Sequence, residues 1–214
     1  MSMRVSLFFL CVCLLPSFSY GKDANFVFVS SGTAYGPGDA PWIYESGKDG
    51  CFVYDKYIVK VSNYKDPGQD IAVYKRNKRF KDQACALDSQ QTVLTLMAKE
   101  MPGNPGVKEF TGFYGIFKNR MFVDTGTYEF GRVLDIYDLG TGKILRTTNY
   151  NHGVIKAKGW AVSFWRTKED FKNASECPNK ISCEYGGLEL EENIILNLSN
   201  FNEKVIGSIC HCSS

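Results

Sequence analysis

Two histidines, a few closely spaced aspartates and one glycine–lysine turn are the parts of this chain whose types and spacing could do chemistry. The histidines are His152 and His211. A thiol nucleophile needs a free, activated cysteine beside such a ring, and Cys85 with His152 is the pair that would supply it. Asp124, Asp135 and Asp138 lie near one another in sequence. Glycosidases use paired carboxylates about 5–10 Å apart, which makes Asp124 and Asp135 the carboxylate candidates. Turn and edge roles explain aspartates at a strand end more economically. No G-x-S-x-G elbow places a hydrolase serine. No D-x-D-x-D-G loop marks a calcium site, and no motif implies a cofactor.

The stretch DLGTGKIL, Asp138 to Leu145, has the look of a phosphate loop but not its spacing. That loop needs a glycine five positions before the Gly-Lys pair and a hydroxyl residue after the lysine. Tyr137 and Ile144 stand there instead. The loop must also open a helix, whereas KILRTTNY is β-branched and strand-like. On the other side RVLDIYD alternates, with Val133, Asp135 and Tyr137 on one face and Leu134 and Ile136 on the other. Two strands around a glycine turn predict a β-hairpin, with Gly142 at a positive φ and Lys143 exposed.

The first residues read as a secretory signal peptide. One positive charge in MSMR precedes the apolar run Val5–Leu15, then Pro16 and the small residues Ser19 and Gly21. This layout predicts cleavage after Gly21, a leader of residues 1–21 and a single exported domain over 22–214. The run is shorter than the roughly 20 residues that span a bilayer, and no later segment reads as a membrane span. Six cysteines follow the leader: Cys51, Cys85, Cys177, Cys183, Cys210 and Cys212. An even count in an exported chain points to disulfides. Sequence leaves the pairing open: Cys177 and Cys183 could close a local loop, or either could staple to Cys210 or Cys212. In CHCSS an extended strand sends Cys210 and Cys212 to one face and His211 to the other. That does not gather a metal set, and no paired CxxC spacing occurs.

The net charge is +2 over the whole chain, and Arg4 belongs to the leader. A near-neutral domain gives no electrostatic case for nucleic acid or an anionic membrane. The basic run YKRNKRFK, Tyr74 to Lys81, reads as a solvated strand end or turn, with a patch for anionic glycan or nucleic acid as the sharper alternative. Among the aromatics, 14% of the chain, phenylalanines serve a core. Trp42, in the Gly/Pro-rich SSGTAYGPGDAPW, is the surface aromatic suited to binding. Asn173 and Asn197 head N-x-S sequons.

Short β-rich segments bounded by turns run the whole length. They include NFVFV, CFVYDKYIVKV, DIAVYKR, QTVLTLMAK, FTGFYGIF and RMFVDTG meeting at Lys118–Asn119, GVIKAKGWAVSFWR, LELEENIILN and KVIGSI. RTKEDFKNASECPNK is the candidate for a helix or loop. Consecutive hairpins predict a mostly β, single antiparallel domain, a meander of sandwich- or barrel-like form, stapled by disulfides. No constant repeat period supports a full propeller.

From FTGFYGIFKNRMFVDTGTYEFGRVLDIYDLGTGKIL through ECPNK and GGLELEE, the chain resembles small secreted bacterial β-rich proteins. The resemblance covers about Phe110–Glu192 and rests on Phe122–Thr127, Arg132 and Ile136–Leu139. It implies export and a β-rich domain, and it brings no activity or site residues. Two functions are therefore expected in order. The first is a non-catalytic secreted binding module that recognises a protein or glycan through loops on a β scaffold. The second is an exported hydrolase working through carboxylates or Cys85–His152.

Overall fold

The computed structural model describes residues 26–28, 34–35, 42–46, 49–62, 68–76, 91–100, 109–127, 131–151, 155–169, 171, 174–179, 181–183 and 187–212. They form fifteen strands: β1 (Phe26–Phe28), β2 (Ala34–Tyr35), β3 (Trp42–Ser46), β4 (Asp49–Val53), β5 (Tyr57–Ser62), β6 (Asp70–Lys75), β7 (Gln91–Leu96), β8 (Phe110–Phe117), β9 (Arg120–Thr127), β10 (Gly131–Asp138), β11 (Ile144–Tyr150), β12 (Ile155–Lys158), β13 (Ala161–Thr167), β14 (Leu188–Asn197) and β15 (Glu203–Cys212). Every pairing is antiparallel. The charged stretch before β14 contributes one 3₁₀ turn, Ala174–Glu176. Trp42 opens β3 instead of standing in a loop, because the residues after Pro41 pair with β4 from Trp42 onward.

The strands make three sheets, ordered β3-β4-β5-β6-β7, β11-β10-β9-β8 and β15-β14-β13-β12-β1-β2. The four-stranded sheet is the middle layer. One of its faces sends Phe113, Ile116, Met121, Val123 and Tyr137 into a core shared with Phe52, Val59, Ile71 and Val73 of the first sheet. The opposite face sends Tyr114, Phe117, Phe122, Leu134 and Ile136 into a second core with Ile155, Val162, Phe164, Ile194 and Leu196 of the six-stranded sheet. A sheet covered on both faces needs apolar residues at successive positions rather than alternate ones. That is why FYGIF and MFV read as unbroken runs. Burial of such a side chain stabilises by roughly 1.5–3 kcal/mol, and these strands collect that gain on both sides. The expected antiparallel β domain is thus present, as a three-layer stack.

Two disulfides staple the last strand to the segment before β14: Cys177–Cys210 and Cys183–Cys212. The local Cys177–Cys183 loop does not form, since each cysteine faces a partner on β15. Cys51 is also bridged, to a partner outside the described residues, and Cys85 lies outside them too. Beside the first staple, Asn179 acts as a short strand. Its Nδ2 donates to the Cys210 carbonyl (2.9 Å) and its Oδ1 accepts from the Cys210 amide (2.8 Å), covering part of an otherwise open sheet edge.

Candidate functional site

The antiparallel order brings five turns to one pole of the stack. The β4–β5 turn, Tyr54–Lys56, is closed by the Tyr54 amide donating to the Tyr57 carbonyl (2.8 Å). At the β8–β9 turn Lys118 and Asn119 have φ of 50° and 64°, the left-handed pair that a two-residue hairpin requires and that asparagine tolerates. The β10–β11 turn holds Gly140–Lys143, the β12–β13 turn Gly159–Trp160, and the β14–β15 turn Leu198–Asn202. Backbone bonds tie the turns together: the Leu139 amide donates to Asn119 O (3.2 Å) and the Leu198 amide to Trp160 O (2.8 Å). The end of β6 joins them, with the Arg76 amide donating to the Lys56 carbonyl (2.9 Å) and its guanidinium to Tyr54 O (3.1 Å).

Between these turns lies a cleft of about 380 Å³, lined by the Tyr54–Tyr57 turn, Ile116, Lys118, Asn119 and Trp160. Trp160 is 52% exposed, which opens a large aromatic surface beside the cleft. The Lys118 ammonium stands 5.4 Å from its ring centroid and 5.8 Å from that of Phe117, a cation–π arrangement. Below it the Tyr57 hydroxyl donates to Asn119 Oδ1 (2.9 Å), which directs the amide nitrogen of Asn119 elsewhere as a donor. Burial pushes the Tyr57 hydroxyl up; the Asn119 bond opposes this and the charge on Asp138 adds to it. It therefore remains a protonated donor at neutral pH. A second cleft of about 420 Å³ shares Asp55, Lys56 and Tyr57 with the first and continues past Lys75 and Arg76 to the Leu139–Gly142 turn.

That turn is the hairpin expected of DLGTGKIL, and its glycine–lysine pair has no phosphate-loop geometry. Asp138 Oδ1 accepts from the amides of Gly140 (2.7 Å) and Thr141 (2.9 Å). The Gly142 amide donates to Asp138 O (2.7 Å), and Gly142 has a φ of 70°. Lys143 is exposed.

The aspartates separate. Asp124 is 1% exposed and bridged to Arg132, itself 4% exposed, with Arg132 Nε donating to Asp124 Oδ1 (2.9 Å). It lies at the other pole, on the face shared with the six-stranded sheet. There Tyr150 donates to the Tyr114 hydroxyl (2.8 Å). Desolvation raises the Tyr150 hydroxyl far above its ordinary range, and the neighbouring Tyr114 adds to this while Arg132 opposes it. Asp135 belongs to the opposite face of β10, where it accepts from Thr147 (2.6 Å) and Thr125 (3.4 Å). Asp124 and Asp135 therefore do not converge on one substrate position. Cys85 and His152 lie outside the described residues, as does Asn173. Asn197 Oδ1 accepts from the amide (2.8 Å) and hydroxyl (2.6 Å) of Ser199 in the β14–β15 turn.

His211 sits 3.6 Å from Glu189 and 3.8 Å from Glu191, across the strand from the bridged Cys210 and Cys212. Among the described residues no group of three His, Cys, Asp or Glu side chains is placed to hold a metal ion. Nor, among them, is any helix long and apolar enough to cross a membrane.

Sequence reasoning passed over Trp160, Lys118, Tyr57 and Asn119. The signal was present in two places. Lys118–Asn119 marks a left-handed turn between two strands, and Gly159 stops β12 one residue before the tryptophan, so Trp160 belongs to a turn rather than to an alternating strand face. Comparison with protein-family models, with curated proteins and with solved structures found no match for this chain.

Proposed function

We propose that the protein is an exported, non-catalytic binding module whose ligand, a glycan or a protein, is held at the turn pole around Trp160. Residues 1–21 form the leader and 22–214 the mature domain. The disulfides Cys177–Cys210 and Cys183–Cys212 suit the oxidising compartment this implies. The observation that carries the reading is the half-exposed Trp160 over a cleft whose floor is fixed by the Tyr57–Asn119 bond. A rigid scaffold presenting one aromatic ring and oriented polar groups on loops is a recognition surface. The test is a binding screen against immobilised glycans and extracellular proteins, run with the wild type and with Trp160→Ala. Binding by the wild type, abolished in the variant at an unchanged melting temperature, is expected. Binding that survives Trp160→Ala would remove the site, and turnover of the bound ligand would remove the non-catalytic assignment.

A further inference from the structure

The charges along the two adjoining clefts are unequal. Among the described residues, Lys56, Lys75, Arg76 and Lys118 line them against the one carboxylate of Asp55. This asymmetry belongs to the described lining of the clefts and not to the chain, whose net charge is only +2. The cations are set along a path. Arg76 and Lys56 are joined through the backbone at the ends of β6 and the β4–β5 turn, Lys75 pairs across from Tyr57, and Lys118 stands over Trp160. The basic run that begins at Tyr74 therefore feeds two of its cations, Lys75 and Arg76, into the same groove as the exposed indole.

We infer that this groove takes an acidic glycan, a chain of pyranose residues bearing carboxylate or sulfate groups. The inference rests on the binding reading above and narrows its ligand class. A pyranose ring presents a C–H face that packs on the Trp160 indole, as apolar surface does on an aromatic plane. Its anionic substituent then meets the Lys118 ammonium held at the same ring. Further along, carboxylates or sulfates fall to Lys56, Lys75 and Arg76, the last a planar donor fork suited to oxyanions. Sugar hydroxyls have Asp55 as an acceptor and Asn119 as a donor.

Single-stranded nucleic acid offers the same alternation of ring and anion, and the structure disfavours it. Base stacking along a strand needs successive aromatic platforms. Here Tyr54 and Tyr57 are buried, and the Tyr57 hydroxyl is tied to Asn119, which leaves Trp160 as the exposed ring of the first cleft among the described residues.

The test uses the purified chain and four hexamers: an oligouronate, a sulfated oligosaccharide, a neutral oligoglucoside and oligothymidylate. Affinities are measured by calorimetry at low and at 0.5 M salt. At least one acidic hexamer is expected to bind ten-fold or more tighter than the neutral one, with the preference collapsing at high salt. Whichever acidic arm binds distinguishes carboxylate from sulfate. Lys56→Glu combined with Lys75→Glu is expected to weaken that binding ten-fold or more, and Trp160→Ala to weaken acidic and neutral sugars alike. Equal or tighter binding of the neutral hexamer through Trp160 would overturn the acidic class while leaving the binding site in place. Tighter binding of oligothymidylate would replace the glycan with nucleic acid. Failure of every hexamer to bind at millimolar concentration would overturn the inference and leave a protein ligand for the pole. Circular dichroism of each variant guards against reading misfolding as lost contact.

Discussion

The hairpin of β9 and β10 carries an arginine–aspartate pair near each end, and the two pairs live in different solvents. Asp124 and Arg132 are sealed between the middle and six-stranded sheets. Asp138 and Arg120 face each other across the same two strands at the turn pole, both partly exposed. The same chemistry therefore has opposite consequences at the two ends. A sealed pair loses its hydration and depends on its partner, here tying β9 to β10 within the middle sheet. A partly wetted pair is screened and contributes less, leaving its turn free to carry other work. The sealed pair thus lies in the interior, whereas the wetted pair borders the turns that line the clefts.

The sharpest way to break this contrast is to strip one partner from the sealed pair. Asp124→Asn, or Arg132→Met alone, leaves a buried charge uncompensated, and a loss of about 3–5 kcal/mol is expected. Replacing both, as Asp124→Leu with Arg132→Met, removes the uncompensated charge and is expected to recover most of that loss. Urea unfolding of the two singles and the double measures it. Singles that cost no more than exposed ion pairs do would mean that the Asp124 pole is open to water, which would reopen Asp124 as a candidate for chemistry.

At the turn pole the largest effect is expected from backbone geometry rather than from charge. Gly142 has a φ of 70°, and a Cβ there would stand 3.4 Å from the Val93 carbonyl. Gly142→Val adds a branched side chain to a left-handed position, and a loss of ~1–3 kcal/mol is expected in thermal melts. An unchanged melting temperature would mean that the turn relaxes at little cost, and that its link to β7 does not help to hold the pole.

Much of this was legible in the sequence, and what was not has a physical cause. Each hairpin could be read because turn residues and alternation are local, as DLGTGKIL shows. The third layer was hidden. FYGIF and MFV announce that both faces of a strand are buried, but a run of apolar residues does not say which sheets supply the two covers. Pairing of Cys177 and Cys183 was open because it depends on where β15 lies, a contact spanning 33 and 29 residues. The site was least legible. Trp160, Lys118 and Tyr57 come from three different sheets, and only the stacking of those sheets makes them neighbours. Asp124 attracted attention as a carboxylate, yet its burial with Arg132 is a property of layer packing that spacing along one hairpin cannot express.

Acid distinguishes the partly wetted carboxylates in a further way. Burial pushes the Asp138 carboxyl up, but the amides of Thr141 and Gly140 together with Arg120 outweigh it and hold the group below the usual carboxylate range. Glu203 behaves likewise: burial is outweighed by Arg146 (2.6 Å) and Arg166 (2.9 Å). A depressed folded-state pKa means stability that is complete above the unfolded carboxylate range and is lost as pH falls through the folded value. The melting temperature is therefore expected to decline on acidification from pH 5 downward, and Asp138→Asn with Glu203→Gln to flatten that decline. A decline of the same slope in the double variant would shift the acid response to other carboxylates and weaken the view that the turn pole is held by ionised groups.

The smallest expected effects are the most informative about function. Lys143 is exposed beside a turn held by its neighbours' backbone, so Lys143→Ala is expected to change stability by no more than about 0.5 kcal/mol. Trp160→Ala removes a ring that is half in water and one exposed cation–π contact, worth about 0.5–1 kcal/mol. A small cost would mean that the exposed ring is not needed for folding, as the proposed binding role requires. Differential scanning calorimetry of both variants decides this. If Trp160→Ala instead costs as much as a buried aromatic, about 3–5 kcal/mol, then the indole is a keystone between the layers, and the contrast between a structural pole and a binding pole collapses.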